Sequence, residues 1–297
     1  MLKRTLFFSN ACYLSTKNGQ IVISNKESGE IKQAPIEDVG FIVLENQQIT
    51  ITTKLIEALN DNNVAVVFCN SKFHPTSMLL NLENHHLQNE IFRNQIQATE
   101  PLKKQLWKQT IVAKISNQAN VLKILGKQYL NLVEYAKNVQ SGDTTNREAQ
   151  AARFYWNELF GKNFSREREG NPPNNALNYG YAILRAAVAR SLVGSGLLPT
   201  LGIHHHNKYN AFCLADDIME PYRPYVDLIV YKMYDKGDIR NDLTIKNKFE
   251  LLNILTVDVE FENTKRPLML GLSQTTALLS KCFAGEIKKL SFPEING

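Results

Sequence analysis

An α+β chain in two parts, a small amino-terminal β-sheet domain followed by a larger all-helical domain, is predicted by a change of hydrophobic periodicity along the 297 residues. As far as about Cys69 the apolar residues fall in short runs separated by turn residues. Beyond about His85 they recur at helical spacing. Composition agrees: 43% hydrophobic and 21% charged residues supply a core for one large domain or two of ordinary size, and exclude collagen, disordered tails and disulfide-stapled miniproteins.

The sheet domain is assigned to residues 1–75, with strands at 6–14, 20–24, 40–44, 48–52 and 64–69, where β-branched and aromatic residues lie between turn residues. Lys17-Asn18-Gly19 closes the first hairpin, because Asn and Gly accept the positive φ of a tight turn. A short helix is expected at 53–60, with Leu55, Ile56 and Leu59 on one face. Residues 76–84, after His74-Pro75, are read as a linker.

The helical domain is assigned to 85–297. Ile91, Leu102, Leu106, Ile111, Ile115, Leu122 and Leu132 mark its first helices, and Pro101 breaks the first of them. Further helices are expected at 147–159, 174–193, 211–233 (with Pro221 and Pro224 inside), 247–252 and 272–284. The loop 161–173 is unusually polar and carries Arg166, Glu167, Arg168 and Glu169.

The net charge of +5 permits a polyanionic partner without requiring one. Cys12, Cys69, Cys213 and Cys282 lie far apart with no CxxC pair, so they are read as buried thiols of a reducing cytoplasm. Ser9 and Asn10 interrupt the apolar start that a secretory signal needs. No apolar run approaches the roughly 20 residues of a membrane span.

Residues 202–227, GIHHHNKYNAFCLADDIMEPYRPYVD, hold three histidines, four acids and an arginine. Helical spacing sets Glu220 on a face with Asp216, Asp217 or both, and clustered carboxylates repel unless a cation neutralises them. A divalent ion held by carboxylates and one imidazole is one reason for such a cluster, and an oxygen-rich shell suits Mg²⁺ or Mn²⁺ better than zinc. The alternative is a histidine-rich surface loop followed by an acidic helix cap. A second stretch, NREAQAARFYW at 146–156, opens a helix with Glu148 in its first turn, where the dipole alone also favours an acid. A third, NPPNNALNYGYAIL at 171–184, reads as a capped helix with a stripe of Asn174, Asn178 and Tyr181.

Together and in this order, the three stretches resemble the CRISPR adaptation integrases, the Cas-one proteins. Glu148 with Ala151, Ala152, Tyr155 and Trp156 is similar to one family motif, Asn175 to Tyr181 to a second, and Gly202 to His205 with Asp217 to Pro224 to a third. The resemblance extends into the β-rich start, and the wording around His204 to Asn210 most resembles type II systems. It implies a metal-dependent DNA integrase and endonuclease in which a DNA 3′-hydroxyl attacks a repeat phosphodiester, inserting captured fragments as spacers into a CRISPR array. It places the catalytic, metal-binding residues at Glu148, His205 and Glu220, with Mg²⁺ or Mn²⁺ as cofactor. Asp217 and His204 are expected behind them, and Arg223 and Lys208 as DNA contacts. The implied partners are double-stranded DNA (prespacer and leader-repeat), a second copy of the chain joined through the sheet domain, a small Cas-two protein completing a heterohexamer, and the effector nuclease of a type II system. The setting is the prokaryotic cytoplasm.

Two other classes compete. A non-enzymatic DNA-binding scaffold would hold phosphates with Lys103, Lys104, Lys108, Lys114, Lys123 and Lys127. A metal hydrolase of small phosphoesters would need a closed pocket.

Overall fold

The computed structural model describes residues 3–83, 85–167 and 170–296. The chain divides into two compact units, Met1–Asn84 and His85–Gly297.

In the first unit, β1 (Arg4–Phe8), β5 (Val39–Leu44), β7 (Ala65–Cys69) and β8 (Pro75–Leu79) form one sheet in that order. The first three strands are parallel and β8 is antiparallel. A second sheet runs β4 (Ile31–Pro35), β3 (Gln20–Asn25), β2 (Cys12–Lys17), β6 (Thr50–Ile51). Helix α1 (Thr53–Asp61) is capped by the Thr52 side chain, which accepts the Leu55 N–H. Leu14 and Ile21 from one sheet, Val39 and Ile42 from the other, and Leu55 and Leu59 from the helix share one core.

The turn at Asn18 and Gly19 has φ of 51° and 70°, with Lys17 paired to Gln20, which is the hairpin expected from Asn-Gly. Three expectations change. The run at 6–14 is two strands, because the chain turns at Ser9–Ala11 to pass from one sheet to the other. Residues 76–79, read as linker, belong to β8 and pair with β7. Strand β4 is an edge strand whose first three residues are exposed and whose last is Pro35, so it lacks the apolar alternation that would announce it.

The second unit contains α2 (Gln88–Gln97), α3 (Glu100–Ile124), α4 (Leu130–Lys137), α5 (Arg147–Phe160), α6 (Asn174–Gly194), α7 (Cys213–Met219), α8 (Arg223–Asp235), α9 (Ile245–Leu252) and α10 (Leu268–Phe283). Pro101 sits in the first turn of α3, where its missing N–H is harmless. This unit is not wholly helical: β9 (Asp258–Phe261) and β10 (Thr264–Pro267) form a hairpin. Its turn residues Glu262 and Asn263 have φ of 50° and 62°, and a Glu in that conformation gives no turn signal in the sequence.

Helix α3 is buried on several faces and organises the unit. Asn117 donates to the carbonyls of Pro221 and Pro293 at 2.8 and 3.0 Å and accepts the Ile295 N–H at 3.0 Å, so one amide ties the α7–α8 junction and the carboxyl-terminal segment to this helix. Helix α6 packs closely on α8: a Cβ at Gly180 would stand 2.5 Å from Val226 Cγ1. The stripe on α6 holds down the polar loop, since Arg166 donates to Asn174 Oδ1 at 3.0 Å and Asn178 Oδ1 at 2.7 Å. Arg168 and Glu169 of that loop lie outside the described residues. All four cysteines are free and buried. Among the described residues no helix is long and apolar enough to cross a membrane.

Candidate metal centre

Glu148 stands in the first turn of α5, and the turn before the helix fixes it there. The Asp143 carboxylate accepts the backbone N–H groups of Arg147 and Glu148 at 2.8 and 2.9 Å, satisfying amides that open the helix. Glu220 stands where the expected helix 211–233 is interrupted. Pro221 and Pro224 withhold two N–H groups, and a single 3₁₀ turn, Glu220–Tyr222, separates α7 from α8.

The two glutamates meet on one point. Lys114 Nζ, from the middle of α3, lies 2.6 Å from Glu148 Oε1 and 2.6 Å from Glu220 Oε2. The contact with Glu148 is a hydrogen bond. The contact with Glu220 is not aligned as one, and Oε2 accepts no hydrogen bond among the described residues although it is buried. Its other oxygen, Oε1, lies 3.0 Å from Arg223 Nε. Burial pushes Glu220 toward its neutral form, but Arg223 and Lys114 outweigh it and hold the carboxyl below its ordinary value. Burial also opposes the Lys114 ammonium, and Glu220 and then Glu148 reverse this, raising its pKa.

The histidine loop is built on Asp217, whose side chain has no exposed surface. Its carboxylate accepts the backbone N–H of Ile203 at 2.7 Å, of His204 at 2.9 Å and of His205 at 3.3 Å. Oδ1 also lies 2.5 Å from His205 Nδ1. That hydrogen bond raises the His205 pKa, and in the neutral ring it keeps the proton on Nδ1 and leaves the lone pair on Nε2. Gly202 makes the bend possible, because a Cβ there would lie 2.4 Å from the His205 carbonyl oxygen and 2.8 Å from Asp217 Oδ2. His204 stacks on the Trp107 indole at 4.1 Å with an interplanar angle of 2°, while His205 meets the same indole edge-on.

The acids of 216–220 therefore do not share a task. Asp216 pairs with Arg185 Nε at 2.6 Å and accepts from Asn210 at 2.7 Å, Asp217 holds the loop, and Glu220 faces Lys114. Arg223, expected as a DNA contact, pairs with Glu220 and lies 4.8 Å over the Tyr181 ring. Lys208 is exposed, stands over Tyr209 and lines a groove of about 370 Å³ that His205, His206 and Lys103 also line. The lysines of α3 and its continuation do not form one face: Lys114 is buried in the site, and Lys127 donates to the Glu158 carbonyl at 2.8 Å, leaving Lys104 and Lys123 exposed. Tyr155 is core and donates to Asp227 Oδ2 at 3.0 Å, and Trp156 is half-buried against Phe160 and Phe164. Lys114, Asp143 and Trp107 are the residues that motif reasoning did not single out for the site. The signal available for Lys114 was its place between Ile111 and Ile115, inside the apolar pattern of α3.

Among the described residues no three His, Cys, Asp or Glu side chains stand close enough to complete a metal shell. The donor set nonetheless fits a hard divalent ion: two carboxylates aimed at one cation, a buried carboxylate oxygen without a donor, and an imidazole nitrogen freed by its partner.

The family model for the CRISPR associated protein Cas1 matches residues 6–255. The CRISPR-associated endonuclease Cas1 of Neisseria meningitidis serogroup C (strain 8013) is 39% identical over 99% of this chain and 97% of its own length. Among solved structures, a casposase bound to integration product superposes with a TM-score of 0.80 at 20% identity, covering 98% of this chain and 92% of that one. A chain of a Cas6-RT-Cas1–Cas2 complex does so with a TM-score of 0.74 at 17% identity, covering 98% of this chain and 36% of that one. These two likenesses speak to the fold. The family match across both units, with the near full-length identity to a named relative, establishes that the chain belongs to the Cas1 family of CRISPR-associated proteins.

Proposed function

We propose that this chain is a DNA integrase and endonuclease of CRISPR adaptation, which joins the 3′-hydroxyl of a captured fragment to a repeat phosphodiester and so inserts a new spacer. The observation that carries the reading is the convergence of Glu148 and Glu220, from separate helices, on a single cationic point that lies within electrostatic reach of His205, in a Cas1-family chain. The name endonuclease borne by the Neisseria relative and the integration product bound to the casposase support the reaction class.

Glu148, His205 and Glu220 would hold Mg²⁺ or Mn²⁺. A divalent ion supplies Lewis-acid polarisation of the scissile phosphate and stabilises the oxyanion that leaves. The chain's own residues set the stage for this. Asp217 fixes the orientation and tautomer of His205, Trp107 buttresses the loop through His204, and Arg223 keeps Glu220 ionised in its buried position. No side chain acts as a nucleophile, since the attacking hydroxyl belongs to DNA. Lys208, Lys104 and Lys123 are exposed and available to phosphates, with Lys208 lining the groove beside His205.

The partners in this reading are prespacer and leader-repeat DNA, a second copy of the chain through the sheet unit, a small Cas2 protein and the effector nuclease of a type II system, in the cytoplasm of a prokaryote. The Cas1–Cas2 complex among the structural neighbours supports the third. The test is integration of a labelled duplex into supercoiled plasmid carrying a leader and repeat, with and without the Cas2 partner and with Mg²⁺, Mn²⁺ or chelator. Product that depends on the divalent ion and is lost in Glu148→Ala is expected. Binding of DNA with no joined or cleaved product under any of these conditions would leave the scaffold reading in its place.

A further inference from the structure

Lys114 stands out because nothing in the packing of α3 calls for a cation there. Leu106, Trp107, Ile111 and Ile115 around it on the helix are core residues, and Lys114 itself is 9% exposed. A buried ammonium persists only where anions balance it. The anions that do so here come from α5 and from the α7–α8 junction, and each lies 2.6 Å from Nζ. They are the two carboxylates proposed to hold a divalent ion.

We infer that Lys114 is the resident cation of this centre, holding Glu148 and Glu220 together until a divalent ion displaces its ammonium. The inference rests on the reading that these glutamates are metal ligands. An ammonium and a divalent ion cannot share one point between two carboxylates. Oxygen ligands approach Mg²⁺ at about 2.0–2.1 Å, so the carboxylates need only close slightly on a smaller and more highly charged ion once Nζ has left. The exchange is local. Arg223 remains on Glu220 Oε1, while buried Oε2 has Lys114 as its cation, at 2.6 Å and out of line for a good hydrogen bond. The lysine stem is long and flexible, and 11% of the side chain is exposed. Metal binding is thus an exchange of one cation for another, and its affinity is reduced by the work of removing Lys114.

The test measures Mn²⁺ binding to the full-length protein by calorimetry and by electron paramagnetic resonance, without reference to activity. Lys114→Gln is expected to bind Mn²⁺ at least about tenfold more tightly than wild type, to melt at a lower temperature without metal, and to recover that loss when saturated with Mn²⁺. Equal or weaker Mn²⁺ binding overturns the inference. Glu148→Gln and Glu220→Gln separate this from the underlying reading. If they abolish Mn²⁺ binding and Lys114→Gln leaves it unchanged, only the role of Lys114 fails, whereas unchanged binding in the glutamate variants removes the metal centre itself. In wild type, lysine ammonium NMR reads the displacement directly, with the Lys114 signal assigned by its absence in Lys114→Arg. A signal that moves to the position of solvated lysines on adding Mg²⁺ supports exchange. One that stays in place at saturating Mg²⁺ overturns it, whether or not Lys114→Gln folds.

Discussion

His205 Nδ1 lies 2.5 Å from Asp217 Oδ1, and the same carboxylate gathers the backbone amides of Ile203 and His204. One buried acid therefore sets both the path of the loop and the orientation of its middle imidazole. Asp217→Asn is expected to lower strand transfer and Mn²⁺ affinity by about 10- to 100-fold, with the secondary structure retained. His205→Ala should abolish transfer and His204→Ala should reduce it less, because His204 acts through its stack on Trp107. Integration kinetics on the three variants check the order. Full activity in His205→Ala with loss in His204→Ala would move the ligand one position back.

The two glutamates should separate by stability. Glu148 keeps 26% of its side chain exposed, whereas Glu220 keeps 6% and faces both Lys114 and Arg223. Both alanine variants should lose strand transfer. Glu220→Ala should also destabilise the fold, by up to about 3–5 kcal/mol, since it takes the carboxylate from half-buried Arg223 and leaves buried Lys114 with Glu148 alone, and Glu148→Ala by clearly less. Denaturant melts of the two variants decide this, and equal stability would contradict the asymmetry of the pairings.

Much of this site was legible in the sequence because its motifs are local. The Glu148 turn, the Gly202 to His205 loop and the Asp217 to Pro224 segment each carry their chemistry within a few residues. What was not legible depends on distant parts of the chain. Lys114 looked like one of six lysines available to phosphates, and only the arrival of Glu148 and Glu220 from elsewhere gives it a buried role. Asp216, Asp217 and Glu220 looked like a shared acidic face, but α7 gives way to a 3₁₀ turn at Glu220 and each acid meets a different partner. In the fold, the Asn18-Gly19 turn announced its hairpin, while the hairpin at Glu262-Asn263 and the exposed edge strand β4 carried no comparable signal.

Gly202→Ala tests the loop without removing any charged group, although its Cβ would also crowd Asp217 Oδ2 at 2.8 Å. A Cβ placed 2.4 Å from a backbone oxygen of the same loop must push the chain aside. Because the loop is exposed while the helices beneath it are packed, the expected cost in stability is about 1–3 kcal/mol. The loss of strand transfer should be much larger than that of stability. Parallel measurement of melting and integration checks this, and wild-type activity would show that the bend tolerates a side chain.

Asp227 provides a pH test away from the candidate ligands. It is buried, accepts hydrogen bonds from Tyr155 and Tyr181, and burial raises its pKa to about 7, with the two tyrosines opposing the rise. Between its unfolded value near 4 and about 7, the folded chain holds a proton that the unfolded chain has released. Its stabilising contribution is therefore full below the unfolded value and is lost as pH rises through the folded one, by on the order of 4 kcal/mol in all. Asp227→Asn should remove this slope. Urea unfolding from pH 4.5 to 8.5 on both proteins measures the difference, and parallel pH profiles would show that Asp227 is ionised throughout.

The pairing of each site acid with its own positive or N–H donor bears on how DNA first arrives. Three exposed carboxylates at the mouth of an integration site would present a local barrier of negative potential to a polyanion. Here Lys114 and Arg223 compensate Glu148 and Glu220, Arg185 compensates Asp216, and Asp217 is screened beneath its loop. The encounter is then steered by exposed basic side chains such as Lys104, Lys123 and Lys208, so the association rate should fall with ionic strength as for a basic surface.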